Sequence, residues 1–168
     1  MWPAGSSICG RPATFCRCDM TASPTERMQR PVAEGLFQFN DGQPMLLGSR
    51  CKGCATLYFP CSLGCRNPRC PHKQIEDASF GQSGTLYSHT VQAYRPPPLF
   101  RMDPWGPYPI GLIDLPEGLR VMAMITGCTP PELRIGMPMT LSTKALFVDE
   151  QGCEVLTYAY RPTPKGSP

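Results

Sequence analysis

Five cysteines lie close together in one short segment, and their spacing is the feature of the sequence most capable of chemistry. They are Cys51, Cys54, Cys61, Cys65 and Cys70. Cys51 and Cys54 form a C-x-x-C knuckle, whose turn directs two thiolates towards one ion. Gly53 suits that turn because glycine tolerates a positive φ. Zn²⁺ prefers four tetrahedral ligands, and a site closed by four thiolates is structural because no coordination position remains for a catalytic water.

Five cysteines compete for four places, so two ligand sets are considered. The favoured set is Cys51, Cys54, Cys65 and Cys70. The alternative takes Cys61 and Cys65 as the second pair. His72 could also bind a metal, but we interpret it as a surface residue. The segment is too short and polar to bury enough apolar surface to fold unaided, so we expect structural Zn²⁺ to hold it together.

Positive charge is concentrated on the same segment. Residues 50–73 contain five basic residues and no acidic residue. Residues 1–49 contain four basic and four acidic residues, and residues 74–168 contain seven basic and nine acidic residues. A zinc ion with four thiolates carries a net negative charge, which neighbouring cations offset. The basic residues are therefore partly explained by the metal itself.

The C-terminal half predicts β-strands and little helix. Runs of strand length, rich in β-branched and aromatic residues, lie at 84–94, 108–115, 118–127, 138–149 and 154–162. Pro, Gly and Asp turn signals separate these runs, with one possible helical turn at 131–134. Five strands in a chain of this size avoid exposed sheet edges most simply by closing into a small barrel.

The sequence before the cysteines predicts a lead-in to the cluster. Residues 31–49 contain an apolar patch, an Asp-Gly turn and a second apolar run. We interpret them as a short helical or irregular segment followed by a strand that enters the cysteine cluster. Residues 1–30 are polar and are interpreted as a flexible tail. Its three cysteines could form a second metal site but are interpreted as free thiols: Cys9, Cys16 and Cys18.

The sequence offers no convincing catalytic residues. Its two histidines, His72 and His89, form no recognisable triad or dyad with a serine or cysteine. Cys128 could act as a nucleophile only with a base that cannot be identified, so it is interpreted as a buried packing residue. We therefore expect a subunit that is not catalytic alone.

The order of the motifs resembles a family of acyl-CoA-associated proteins in which a zinc ribbon precedes an OB-fold. The resemblance covers about residues 34–162 and rests on C-x-x-C…Y-F-P…C, GTLYSHTV, PYPIGLIDLPEGLRV and LRIGMPM. Metal ligation carries over to Cys51, Cys54 and Cys65. It carries over less directly to Cys70, because Cys65 and Cys70 lie further apart than the last two ligands of the family.

The resemblance implies a mainly β fold, with a rubredoxin-like zinc ribbon followed by a five-stranded OB-fold barrel. The chain is accordingly divided into an N-terminal tail, a lead-in, a zinc ribbon, a barrel and a C-terminal tail: residues 1–30, 31–49, 50–75, 76–162 and 163–168.

The resemblance also implies a function, as a partner of thiolase-type or hydratase-type enzymes acting on CoA thioesters. Within the family it points to the zinc-finger subunits of benzoylsuccinyl-CoA thiolases, which act in anaerobic toluene degradation. We expect a hetero-oligomer with a thiolase-like catalytic subunit and acyl-CoA near the interface. The alternative is binding of single-stranded nucleic acid, which OB-folds achieve with aromatic residues in a basic groove. The barrel half is acidic and its strands lack interleaved basic residues, so nucleic acid is disfavoured.

A proline-rich loop, residues 95–108, is the segment best suited to contact a partner. Its prolines remove the backbone donors that a strand needs and lower the entropic cost of ordering the loop. It contains five residues of the types that dominate interface energies: Arg95, Phe100, Arg101, Trp105 and Tyr108. Two interpretations remain open. The loop docks a catalytic partner near the acyl-CoA entrance, or it caps the barrel with Trp105 in the core.

Composition excludes several classes of protein. Hydrophobic residues make up 41% of the 168 residues, which is too much for a disordered chain. Pro and Gly recur too often for a coiled coil, and no apolar run approaches the ~18 residues of a membrane span. The N-terminus lacks the apolar core of a secretory signal, so we expect a cytoplasmic protein with reduced cysteines.

Overall fold

The computed structural model describes residues 28–164, which fold into two β-sheets and the loops that connect their strands. The strands are β1 (Gln29–Pro31), β2 (Phe37–Asn40), β3 (Gln43–Cys51), β4 (Leu57–Tyr58), β5 (Ile75–Phe80), β6 (Ser83–Gln92), β7 (Tyr108–Asp114), β8 (Arg120–Ile125), β9 (Pro138–Val148) and β10 (Glu154–Pro162). Most of the expected N-terminal tail, its three cysteines and the last four residues lie outside the described residues. No helix of residues 28–164 is long and apolar enough to span a membrane.

The larger sheet closes into a five-stranded barrel. Its strands follow the order β10, β8, β7, β6 and β9, and β9 pairs with β10 to complete the circle. All pairings are antiparallel except β10 with β8, in which Ala159 lies opposite Met124. This is the OB-fold expected from the sequence, and the mainly β fold class is confirmed. β1 pairs in parallel with the first three residues of β10, Glu154–Leu156, so strand structure begins before residue 31.

The barrel interior is filled by residues that alternate along its strands. Completely or nearly completely buried members are Leu86, Ile113, Val121, Ile125, Met139, Leu141 and Tyr160. Gly111 on β7 leaves room for two of these side chains. A Cβ at Gly111 would lie 2.7 Å from Ile125 Cδ1 and 2.9 Å from Leu86 Cδ1. Glycine is needed there because the core approaches the backbone closely.

The smaller sheet is built around β3. It pairs with β2, β4 and β5, always antiparallel. Asp41 and Gly42 connect β2 to β3 with φ values of 48° and 76°, as a tight hairpin of right-handed twist requires. The predicted Asp-Gly turn and the strand that enters the cysteine cluster are confirmed. No helix forms in residues 31–49, because the hairpin buries Phe37 and Leu46 against the barrel core.

The two sheets share one hydrophobic core. Phe37, Leu46 and Phe80 belong to the same buried cluster as the barrel residues. Phe59 follows β4 and packs edge-on against Phe80 and Tyr158, with ring centroids 6.2 and 5.3 Å apart. β5 was not predicted as a strand, and the expected division between ribbon and barrel at residue 75 falls on its first residue. Ribbon and barrel are therefore packed as one unit.

The connections between β6 and β7 and between β8 and β9 are irregular and contain no long helix. One 3₁₀ turn covers Pro130–Glu132, where Thr129 and Glu132 form a capping box. It begins one residue before the helical turn that the sequence predicted at 131–134. The proline-rich loop contains a second 3₁₀ turn, Pro98–Phe100, and no strand before Tyr108. Its prolines prevent ladder pairing, as expected.

Replacing Gly111 by alanine should destabilise the barrel. The new methyl group would collide with Ile125 and Leu86, and overpacking of this kind costs about 1–3 kcal/mol. Gly106 is the matched control, because a Cβ there meets no atom within 4 Å. Urea unfolding of the two alanine variants measures the difference, and equal midpoints would contradict the packing described.

Candidate metal centre and the outer face of the barrel

The first cysteine pair sits where β3 turns into β4. Cys51 is the last residue of β3, and the turn is closed by a hydrogen bond from Ala55 N–H to the Cys51 carbonyl. The positive φ of this turn, 58°, belongs to Ala55, so the expected reason for Gly53 was wrong. A Cβ at Gly53 would lie 2.2 Å from the His72 carbonyl oxygen. Glycine is needed there because the second half of the site approaches closely.

The second pair is presented by a compact turn. Asn67 accepts a hydrogen bond from Cys70 N–H on its carbonyl and one from Arg69 N–H on its side-chain oxygen, at 3.2 and 3.0 Å. Asn67 and Pro68 thus shape the wider loop between Cys65 and Cys70. Ser62 ties the preceding residues to β3, because its N–H donates to the buried Ser49 hydroxyl at 2.9 Å.

These two turns bring four sulfur atoms together: those of Cys51, Cys54, Cys65 and Cys70. All four lie within 4.8 Å of one another, and the contacts Cys51–Cys70 and Cys54–Cys65 are both 3.6 Å. Four sulfurs at 2.3 Å from a tetrahedral zinc ion would be about 3.8 Å apart. The donor set therefore fits a closed tetrahedral metal site.

The competing ligands lie outside this group. The Cys61 sulfur is 3.3 Å from the Gly48 carbonyl oxygen and is not among the four sulfurs. The His72 side chain is exposed, and only its backbone oxygen approaches the sulfurs, 3.5 Å from Cys51 and 3.3 Å from Cys70. The expected basic residues of this segment are all exposed around the site: Arg50, Lys52, Arg66, Arg69 and Lys73.

Hydrogen bonds and burial shift the pKa values of Cys54, Cys65 and Cys70 in different directions. The Thr56 hydroxyl and backbone lower the pKa of Cys54 to about 6, and the Tyr58 hydroxyl lowers the pKa of Cys65. Burial, followed by the neighbouring Cys51 thiol, raises the pKa of Cys70 to about 12. A buried thiolate needs a compensating charge, and a divalent cation among the four sulfurs would supply it.

The proline-rich loop lies over the barrel, with some side chains buried and others exposed. Phe100 packs against a cluster formed by Val32, Leu146 and Val155, and Tyr108 is buried. Trp105 is half-buried, and the guanidinium of Arg95 lies 5.6 Å from its ring centroid. Arg101 stacks on Phe147 at 3.6 Å.

The loop and the barrel form the walls of an open cavity of about 260 Å³. Its walls are mostly apolar and include Pro97, Phe100, Tyr108, Met122, Met124 and Tyr158. Two large apolar residues next to and within the loop are exposed, Tyr94 by 70% and Leu99 by 52%. The loop thus has inner residues that fix it to the barrel and outer residues that are available for contact.

The outer face of β7 and β8 is apolar, a feature that was not predicted from the sequence. Ile110 pairs with Met124 and Leu112 with Met122, and Met122 is 62% exposed. An antiparallel sheet facing water normally alternates apolar and polar residues. β7 and β8 instead read as nearly continuous apolar runs, and that lack of alternation is the signal that could have revealed this face.

This face offers little positive charge. The basic residue at its end, Arg120, donates to both oxygens of Asp114 at 2.6 and 3.0 Å. Its guanidinium also lies 3.3 Å from the Tyr87 ring centroid, and the ion pair lowers the pKa of Asp114. Nucleic-acid binding by an OB-fold needs aromatic residues along a basic groove, which the described strands of this face do not provide.

Cys128 is poorly suited to nucleophilic catalysis. Its side chain is half-buried, and burial together with the nearby Glu132 carboxylate raises its pKa. A thiol with a raised pKa is rarely in the nucleophilic thiolate form at neutral pH. Cys128 therefore serves as a packing residue against the barrel core.

Comparisons with known proteins agree with this architecture. The family model described as the C-terminal OB-fold domain of ChsH2 matches residues 79–144. A DUF35 domain-containing scaffold protein of Methanocaldococcus jannaschii is 34% identical over 69% of this chain and 79% of its own length. The chain belongs to the DUF35 family. The family expected from the sequence is thus confirmed.

Two further relatives are named as parts of enzymes. Benzoylsuccinyl-CoA thiolase subunit BbsA of Thauera aromatica is 31% identical, over 72% of this chain and 79% of its own length. The solved structure of an Ltp2-ChsH2(DUF35) aldolase matches with a TM-score of 0.52 and 30% identity, covering 70% of this chain and 84% of the matched chain.

Removing one of the four clustered sulfurs should abolish tight metal binding. Cys70→Ser leaves three thiolates and opens the site, so we expect the metal content of purified protein to fall from about one ion per chain to well below half. Cys128→Ser, in the barrel, is the matched control and should retain its metal. Elemental analysis of both proteins checks this, and a Cys70→Ser protein with full metal content would exclude Cys70 as a ligand.

Proposed function

We propose that this DUF35 protein is a non-catalytic, zinc-binding OB-fold subunit of an acyl-CoA-processing complex, with a thiolase-type catalytic subunit as its partner. The observation that carries the proposal is the apolar outer face of β7 and β8, beside a rigid loop with exposed apolar residues. Contiguous exposed apolar surface marks an interaction site. The names of two relatives, a thiolase subunit and an aldolase complex, support a catalytic partner of this kind.

The metal in this proposal is structural Zn²⁺ held by Cys51, Cys54, Cys65 and Cys70. A closed site of four thiolates supplies folding energy and no activated water. The chain's own residues therefore provide a rigid ribbon, and the nucleophile and base of the reaction belong to the partner.

The loop is proposed to contact the partner through its outer residues. Phe100 and Tyr108 are anchored in the barrel surface, so their role is to fix the loop. Leu99 and the neighbouring Tyr94 are exposed and suited to contact. Arg95 and Arg101, whose guanidinium groups lie over aromatic rings, are suited to the phosphates of an acyl-CoA near the interface.

The substrate of the complex and the compartment are also part of the proposal. Similarity to the Thauera aromatica subunit supports benzoylsuccinyl-CoA, in the degradation of aromatic hydrocarbons, as the substrate of the complex. A cytoplasmic location is compatible with a cysteine cluster that must stay reduced to bind metal.

Partner binding should depend on the apolar face. Met122→Lys places a charge on this face at a residue that is already 62% exposed, so the fold should survive while the affinity for a co-expressed thiolase-like subunit falls at least about tenfold. Ile135→Lys is the control, since Ile135 is 71% exposed in the connection between β8 and β9. Its affinity should change by less than about twofold.

Co-purification with the co-expressed thiolase-type subunit, followed by light scattering of the complex, measures the outcome. Loss of binding with Met122→Lys alone supports the proposed face. Equal binding by both variants would contradict the face, and no association by the unmodified protein would contradict the proposed function.

Zinc removal should loosen the ribbon before the barrel. Chelation removes the ion that holds the two turns together, so trypsin should cut after the exposed Arg66 and Arg69. Lys144 lies within β9 and serves as the internal control that should stay protected. Mass spectrometry of the fragments checks this, and an unchanged digestion pattern would contradict a structural role for the metal.

Single-strand binding provides a direct test of the alternative function. With the apolar face described above, we expect no salt-sensitive gel shift of single-stranded oligonucleotides. Binding of mid-micromolar strength that weakens with salt would favour nucleic acid instead.

A further inference from the structure

We propose that Tyr58 is a positioning residue of the metal centre, whose hydroxyl holds and tunes the Cys65 thiolate. The inference rests on the part of the proposed function that places a metal among the four sulfurs. Tyr58 is not itself a ligand. It acts through Cys65, which it contacts from β4.

The hydrogen-bond geometry orients the Tyr58 hydroxyl towards sulfur. Its oxygen accepts a hydrogen bond from Arg66 N–H at 2.8 Å and lies 3.3 Å from Cys65 Sγ, to which the hydroxyl donates. Because the backbone donor occupies an oxygen lone pair, the hydroxyl proton is left to point at the sulfur. One side chain therefore fixes both the Cys65 thiolate and the backbone that follows it.

Tyr58 also connects the two halves of the site. Its backbone pairs with Ser49 on β3, the strand that ends at Cys51. Its hydroxyl reaches the turn that carries Cys65. The distance between the first and second cysteine pairs is thus held by a residue anchored in the sheet, independently of the ion. Such preorganisation lowers the entropic cost of metal binding.

The four sulfurs divide into two pairs by their surroundings. Cys54 lies 3.1 Å from the Thr56 hydroxyl, and Cys65 receives the Tyr58 hydroxyl. Cys51 and Cys70 instead face the His72 carbonyl oxygen, which has no proton to donate. Hydrogen bonds from outside the ligand shell tune ligand strength and metal affinity. We therefore expect Tyr58 and Thr56 to withdraw electron density from one sulfur pair only.

Tyr58→Phe tests this role because it removes the hydroxyl and keeps the ring, together with the Arg66 guanidinium 5.9 Å from its centroid. Zinc affinity, measured by competition with a chelator, should weaken about 10- to 100-fold. In Co²⁺-substituted protein, the sulfur-to-metal charge-transfer band should move to lower energy, since a sulfur without the hydrogen bond is a stronger electron donor.

Two further variants keep the interpretation specific. Thr56→Val removes the other hydroxyl and should move the Co²⁺ band in the same direction. Tyr87→Phe removes a hydroxyl from β6, where the ring contacts Arg120, and should leave both measurements unchanged.

The outcomes separate this inference from the proposed function. A weaker affinity with a shifted band supports Tyr58 as a positioning residue. An unshifted band overturns the inference, whether or not affinity falls, because a purely structural residue would change affinity alone. If the unmodified protein bound neither Zn²⁺ nor Co²⁺, the metal centre itself would be excluded, and the inference with it.

Discussion

The structure depends on one strand that belongs to two environments. β3 contributes Leu46 to the barrel core and ends at Cys51 in the sulfur cluster. Between these points Gly48 allows neighbouring segments to approach so closely that a Cβ would lie 2.5 Å from the Phe80 ring. A shift of β3 by one residue would exchange its two faces. Barrel packing and metal geometry therefore fix the same register.

This shared strand explains why the expected division into ribbon and barrel describes the chain only approximately. β5 pairs with β3 from Leu46 to Cys51, and its last residue, Phe80, joins the barrel core. The sequence did not reveal β5 because Glu76 and Asp77 interrupt any apolar alternation. Pairing with β3 supplies the backbone hydrogen bonds that local propensity does not predict. Strand formation at β5 is a consequence of tertiary structure.

The sequence predicted most where one local pattern determines the structure. The β-branched and aromatic residues of β9 and β10 predicted two long strands, and the spacing of Cys51 and Cys54 indicated a knuckle. The favoured set of four cysteines is the one whose sulfurs meet. The reason for Gly53 was not predictable, because the His72 carbonyl that crowds it comes from a turn separated in sequence. The apolar face was missed because a run apolar on both sides is typical of a buried strand.

Several charged groups in the described part of the chain form contacts that hold the structure. Arg120 is paired with Asp114, and the Glu132 carboxylate accepts from Thr129 N–H at 2.6 Å. The four clustered sulfurs are suited to a closed site. The apolar face of β7 and β8 and the proline-rich loop are also accessible, and they are suited to binding another protein.

Two adjacent residues connect that face to the metal centre. Tyr58 reaches Cys65, whereas Phe59 packs in the opposite direction against Tyr158, as successive residues of an extended chain do. Tyr158 lines the cavity beneath the loop and donates to the Met122 carbonyl at 3.1 Å. Each contact in this series is a direct packing or hydrogen-bonding contact. A metal ion held by the four sulfurs would therefore be connected to the proposed docking face through residues in direct contact with one another.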